Sequence, residues 1–129
     1  YGDWMKYFIA LRSMLDAGIR VSISSDAPSG PIEPMAVIDG AVNRIDRVTG
    51  EPVDQTQCIT IEEAIRCYTI NGAYASNEDK IKGSIEVGKL ADLAVLSRNL
   101  LDASPHQIGE VTIEMTVIDG IIEYEDSSS

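Results

Sequence analysis

The chain is predicted to be α/β plus β, on three observations. A helical apolar stripe ends in glycine and runs directly into a short β-branched segment, giving a helix–strand unit. Two further helical runs follow, the second with a clear start signal. Beyond residue 80 the periodicity changes to strict alternation and then to a hairpin turn, Asp119-Gly120.

The elements follow in order. Residues 4–17 read as a helix, with Phe8, Leu11, Met14 and Leu15 on one face and Gly18 at the stop position. Residues 19–24, Ile-Arg-Val-Ser-Ile-Ser, are predicted to form a strand. Pro28-Ser29-Gly30-Pro31 can neither prolong that strand nor begin a helix at once. Asp26 is therefore expected just beyond a strand's C-terminal end. Pro34 opens a second helix with Met35, Val37, Ile38, Ala41, Val42 and Ile45 on a broad apolar face. Residues 48–57 carry no periodicity and read as a surface loop. Thr60 with Glu63 three residues on forms a capping box that starts a third helix, with Ile61, Ala64, Ile65 and Tyr68 facing inward. Asn71-Gly72 is expected to interrupt it, with a short turn after. In the second half, residues 83–89 are a turn-rich entry into a strand at 91–96. Val111, Ile113, Met115 and Val117 alternate with Thr112, Glu114 and Thr116, which describes a half-buried strand, and residues 121–124 return from the hairpin. Residues 125–129 read as a frayed polar tail. The expected division is 1–78 and 79–129.

Composition excludes several functions. A hydrophobic share of 44% supports a buried core, while no apolar run suggests a membrane span. A formal net charge of −11 opposes binding to nucleic acid or an anionic membrane, both of which need a basic surface. Cys58 and Cys67 have no CxxC spacing and no neighbouring histidine, so they do not read as a zinc site. The chain has 129 residues and starts at Tyr1, which gives the expectation of a piece of a longer polypeptide; the missing leader says little about location, and a cytoplasmic one is expected.

Asp26 is the candidate for chemistry. Carboxylates past strand ends are where open α/β sheets and (β/α)₈ barrels hold reacting groups and metal ligands. The competing reading is an Asx-turn or a cap. Arg44 and Arg47 either meet an anionic substrate group or serve the end of the second helix. Asp92 near Lys89 reads as a turn-fixing carboxylate, and Ser84 has neither a histidine partner in sequence nor a nucleophile-elbow pattern. His106, the single histidine, reads as a surface loop residue.

Taken together, these motifs resemble the C-terminal part of metal-dependent amidohydrolases, specifically the branch called amidohydrolase family 3. The resemblance runs through Ser25-Asp26-Ala27-Pro28, Ala41-Val42-Asn43-Arg44, Ile59-Thr60-Ile61-Glu62-Glu63-Ala64 and Tyr68-Thr69-Ile70-Asn71-Gly72-Ala73. It continues through Gly83-Ser84-Ile85-Glu86-Val87-Gly88-Lys89-Leu90-Ala91-Asp92, the most specific block, to Val117-Ile118-Asp119-Gly120. Ser24 stands where the family often has glycine.

The resemblance implies the C-terminal part of a (β/α)₈ TIM-type barrel, followed by part of a small composite β-sandwich. It implies a hydrolase for carbon–nitrogen bonds other than peptide bonds, with N-acyl, formamide or cyclic amide substrates. Asp26, at the end of the eighth barrel strand, would be both catalytic proton shuttle and metal ligand. The cofactor would be a divalent metal, zinc by preference, held by the full-length protein; none is expected in this piece, which should be inactive alone. The partner would be a small amide, with neither nucleic acid nor membrane. Self-association of the piece through uncovered apolar faces is also expected. The alternative is a non-catalytic amidohydrolase-like scaffold or regulatory module.

Overall fold

A computed structural model describes residue 4 and residues 7–127. Its helices are α1 (Leu11–Asp16), α2 (Pro34–Asn43), α3 (Ile61–Tyr68) and α4 (Ile70–Ala75), and its strands are β1 (Leu93–Leu96), β2 (Ile113–Ile118) and β3 (Ile121–Glu125). Its 3-10 segments include Gln55–Gln57, Leu100–Asp102 and Pro105–Glu110.

The first helix is shorter than the apolar stripe predicts. Ile9 adopts a left-handed φ of 49°, where a β-branched residue cannot continue a helix, and α1 begins only at Leu11. Leu11 is buried while Phe8 and Met14 are exposed. Positions 5 and 6 of the expected helix lie outside the described residues. The stop is as expected: Gly18 takes φ 74° and its N–H donates to the Leu15 carbonyl at 2.9 Å.

Residues 19–24 correct a second expectation, because they join no strand ladder. A strand needs a neighbour, and among the described residues none of the strands pairs with this segment. Its backbone groups go instead to the third and fourth helices: Ile23 N–H donates to the Cys67 carbonyl at 3.2 Å, and the Asn71 amide donates to the Val21 carbonyl at 2.7 Å.

α2 starts at Pro34 as predicted, with Met35, Ile38 and Ala41 buried, but it ends at Asn43. Arg44 caps it in the left-handed conformation, so Ile45 leaves the helical face and forms a bridge with Pro52. The loop at 48–57 thus carries a bridge and a 3-10 turn. α3 has the predicted capping box: Thr60 Oγ1 accepts from Glu63 N–H at 3.2 Å, and the Glu63 carboxylate accepts from Thr60 N–H at 2.8 Å. The helical break falls at Thr69 (φ −113°, ψ −91°) rather than at Asn71-Gly72, which lie inside α4.

The sheet is antiparallel in the order β1-β2-β3, pairing Leu93 with Val117, Val95 with Met115 and Thr116 with Tyr124. A register shift interrupts each pairing. β1 starts two residues later than predicted. The Asp119-Gly120 turn takes φ 51° and 80°, both positive, as a two-residue type I′ hairpin requires. Glu125, expected in the tail, belongs to β3. The core lies between α1, α2, α3 and the 3-10 segments, built from Leu11, Met35, Ile38, Ala64, Cys67 and Ile108 with their neighbours. No strand residue is in the fully buried set of described residues, and β3 is exposed along its length.

Candidate active site

Asp26 sits on the exposed exit of the 19–24 segment, in a tight turn. Its φ is 52°, a left-handed value that aspartate tolerates better than most residues. Its carbonyl accepts from Ser29 N–H at 2.8 Å and Gly30 N–H at 3.1 Å, closing the loop upon itself. Gly30 is required there, since a Cβ would run into the Ser25 carbonyl oxygen. The Asp26 carboxylate makes no hydrogen bond or ion pair among the described residues, so it does not form the Asx-turn of the competing reading. The backbone holds the turn and leaves the side chain available.

Beside this turn lies a cavity of about 290 Å³ lined by Ile23, Ser24, Ser25, Pro31, Arg44 and Arg47, among others. Arg44 is buried and committed. Its guanidinium donates to the carbonyls of Phe8, Ile9, Val53 and Asp54 at 3.0–3.3 Å, tying the start of the chain to the loop after α2. That use excludes it as a ready anion ligand. Arg47 is exposed, with one donor on the Ala36 carbonyl at 3.1 Å. A larger cavity of about 430 Å³ separates α2 and α3 from β1 and includes none of residues 19–31.

The remaining candidates are structural. Asp92 Oδ1 accepts from Asp119 N–H at 2.9 Å, bracing the hairpin turn. Ser84 Oγ donates to Glu86 and accepts from Lys89 Nζ, which also reaches the Asp79 carbonyl at 2.6 Å, so the 79–89 turn closes around one ammonium. The Ser84 hydrogen bond, helped by Lys89, holds the Glu86 carboxyl below the usual glutamate range. Burial pushes both Cys58 and Cys67 thiols upward, away from the nucleophilic thiolate. His106 is exposed on the Pro105–Glu110 segment. Among the described residues no three His, Cys, Asp or Glu side chains cluster as a metal would require. A catalytic metal usually needs three protein ligands, and the described residues bring no such set together around Asp26.

Sequence reasoning missed Asn71. It read Asn71-Gly72 as a helix breaker, and the side chain instead holds the backbone that leads to Asp26.

A sequence pattern describing the amidohydrolase family matches residues 3–124, and the chain belongs to that family. It is 42% identical over 119 residues to an N-substituted formamide deformylase of Arthrobacter pascens, covering 92% of this chain and 22% of that protein. It is 35% identical over 127 residues to the amidohydrolase YtcJ of Bacillus subtilis, covering 97% of this chain and 24% of that protein. The chain therefore spans about a quarter or less of the length of these two relatives. The crystal structure of an amidohydrolase from Thermotoga maritima superposes with a TM-score of 0.69 at 23% identity, covering 95% of this chain and 26% of that one. The fold is thus that of a portion of an amidohydrolase. No helix among the described residues is long and apolar enough to cross a membrane.

Proposed function

We propose that this chain is the C-terminal portion of a metal-dependent hydrolase that cleaves carbon–nitrogen bonds other than peptide bonds, with formamides as the leading substrate class and N-acyl or cyclic amides as neighbours. The observation that carries the reading is the likeness to a formamide deformylase along almost the whole chain. In this reading residues 1–78 complete a (β/α)₈ barrel and residues 79–129 contribute to the small β domain. The 19–24 segment is then the eighth barrel strand, which gains its ladder only when the rest of the barrel is beside it.

Asp26 acts as proton shuttle. Water adds to the amide carbonyl and surrenders a proton to the carboxylate; the carbon–nitrogen bond then breaks as that proton passes to the leaving nitrogen. The products are a carboxylic acid and an amine. A divalent metal, zinc by family resemblance, belongs to the whole protein, with Asp26 as one contact and the other ligands supplied by segments outside this chain. The chain alone is inactive.

The test is Asp26→Asn in the full-length protein, assayed on an N-alkylformamide. Turnover is expected to fall about 10²- to 10⁴-fold, the range of general acid–base contributions, with melting temperature unchanged and the loss persisting at saturating zinc. Near-normal turnover would remove Asp26 from the mechanism. Absence of C–N hydrolysis by the unaltered full-length protein would leave the scaffold reading.

A further inference from the structure

We propose that Asn71 is a positioning residue for Asp26, an inference that rests on the role given to Asp26 above. The Val21 carbonyl and the Ile23 N–H lie on the segment that ends at Asp26, and neither has a strand partner among the described residues. Backbone polar groups in such a place require other partners. Asn71 Nδ2 donates to the Val21 carbonyl at 2.7 Å, and the Cys67 carbonyl accepts from Ile23 N–H at 3.2 Å. These two anchors come from residues four apart, and Asn71 Nδ2 also lies 3.8 Å from the Cys67 sulfur.

Both anchors stand next to the buried core, Asn71 itself being half-buried. Cys67 is 1% exposed and Ala73, two residues beyond Asn71, is 6% exposed. Asp26 follows Ile23 by three residues and is then locked by its own turn, in which its carbonyl accepts from Ser29 and Gly30. Of the two contacts that hold this segment to the helices, the side-chain amide of Asn71 is the one a substitution can remove. Aspartate at 71 would keep the shape but lose the donor, and would set a carboxylate against the Val21 carbonyl. Catalytic groups displaced by about 1 Å can lose about 10²-fold in rate, so this contact is placed where small losses of position register in turnover.

The experiment uses the full-length protein with an N-alkylformamide as probe. Asn71→Asp and Asn71→Ala are expected to lower kcat about 10- to 100-fold while KM stays within about twofold, and to speed hydrogen exchange across residues 19–27. In an Asp26→Asn background, Asn71→Asp is expected to bring no further loss. The same fractional loss in both backgrounds would overturn the proposal while leaving Asp26 catalytic. Unchanged exchange at 19–27 would overturn it too, and so would a lowered melting temperature with kcat intact. Full turnover by Asp26→Asn alone would instead remove the reading beneath it, and the proposal with it.

Discussion

Arg12 and Glu63, 51 residues apart, meet through a single guanidinium nitrogen that donates to both carboxylate oxygens at 2.8 Å. The same carboxylate accepts from Thr60 N–H, so one side chain closes the N-terminus of α3 and clamps α1 onto it. Arg12 also reaches Asp16 one turn along α1, at 2.7 Å. Local helix capping and long-range packing converge on Glu63.

The convergence makes the fold acid-sensitive. The Thr60 backbone hydrogen bond, opposed by partial burial and aided by Arg12, holds the Glu63 carboxyl below the usual glutamate range. A carboxyl depressed in the folded state stabilises above its unfolded pKa and loses that contribution as pH falls through the folded value. Glu63→Gln is therefore expected to lower stability near pH 7 and to flatten its decline between roughly pH 5 and pH 3. Thr60→Ala should cost about 1 kcal/mol at neutral pH. Denaturant unfolding at stepped pH measures both, and parallel pH profiles for Glu63→Gln and the unaltered chain would contradict the coupling.

Two glycines separate loop geometry from packing. At Gly30 a Cβ would strike the Ser25 carbonyl oxygen, so Gly30→Ala must open the turn carrying Asp26. In the full-length protein this should lower turnover about 10- to 100-fold, by misplacing the carboxylate proposed as proton shuttle, with a modest change in melting. Gly83 has φ +90°, and a Cβ there would lie 2.7 Å from the Ala73 Cβ and 3.0 Å from the Ile70 Cα. Gly83→Ala should cost about 1–3 kcal/mol through overpacking and backbone strain, without a specific loss of turnover in the folded fraction. Reversed outcomes in paired kinetics and melting curves would refute this assignment.

Elements fixed by local chemistry were legible in the sequence. The Thr60–Glu63 box, Pro34 at the start of α2, Gly18 after α1 and the Asp119-Gly120 hairpin carry their own signals and appear where expected. Periodicity overreached where the chain bends against it, at Ile9 and at Arg44, because neither left-handed residue is glycine. The 19–24 segment has strand composition, but a ladder depends on a neighbour that local residues cannot supply. The exposed turn position of Asp26 was legible from its place between a β-branched run and a proline-rich turn, and its role is a proposal. The contact of Asn71 was not legible, because a side-chain hydrogen bond across 50 residues leaves no periodic trace. Arg44 was read as an anion contact or a helix-end charge, and its four carbonyl partners lie on loops that sequence pattern does not place.

Metal removal should divide the whole protein from this portion. If the remaining ligands lie in other segments, a chelator will abolish formamide hydrolysis by the full-length protein and readdition of zinc will restore it. The 129-residue chain should melt at the same temperature with or without zinc, because stabilisation by a ligand requires a site in the folded state. Calorimetric titration and a thermal scan check the two halves of this statement. A saturable zinc-dependent rise in melting temperature for the isolated chain would show that it holds a ligand set of its own.

The isolated chain should also associate with itself. Ile118, Ile121, Ile122 and Tyr124 are 50–63% exposed on the hairpin, and β3 has an unpaired edge, an arrangement that invites strand addition. Further apolar side chains, Phe8, Ile19 and Ile85 among them, are exposed elsewhere. The net charge of −11 opposes contact between copies, and salt screens that repulsion, with a Debye length falling from about 30 Å at 0.01 M to about 10 Å at 0.1 M. Association should therefore strengthen as salt rises. Lysine at Ile121 and Ile122 together should weaken it, by placing charge on the exposed edge strand. Size-exclusion chromatography with light scattering, repeated across this salt range, reads the mass directly. A monodisperse monomer at every salt concentration, unaltered by the lysine pair, would mean that these apolar faces are tolerated in water rather than covered by another copy.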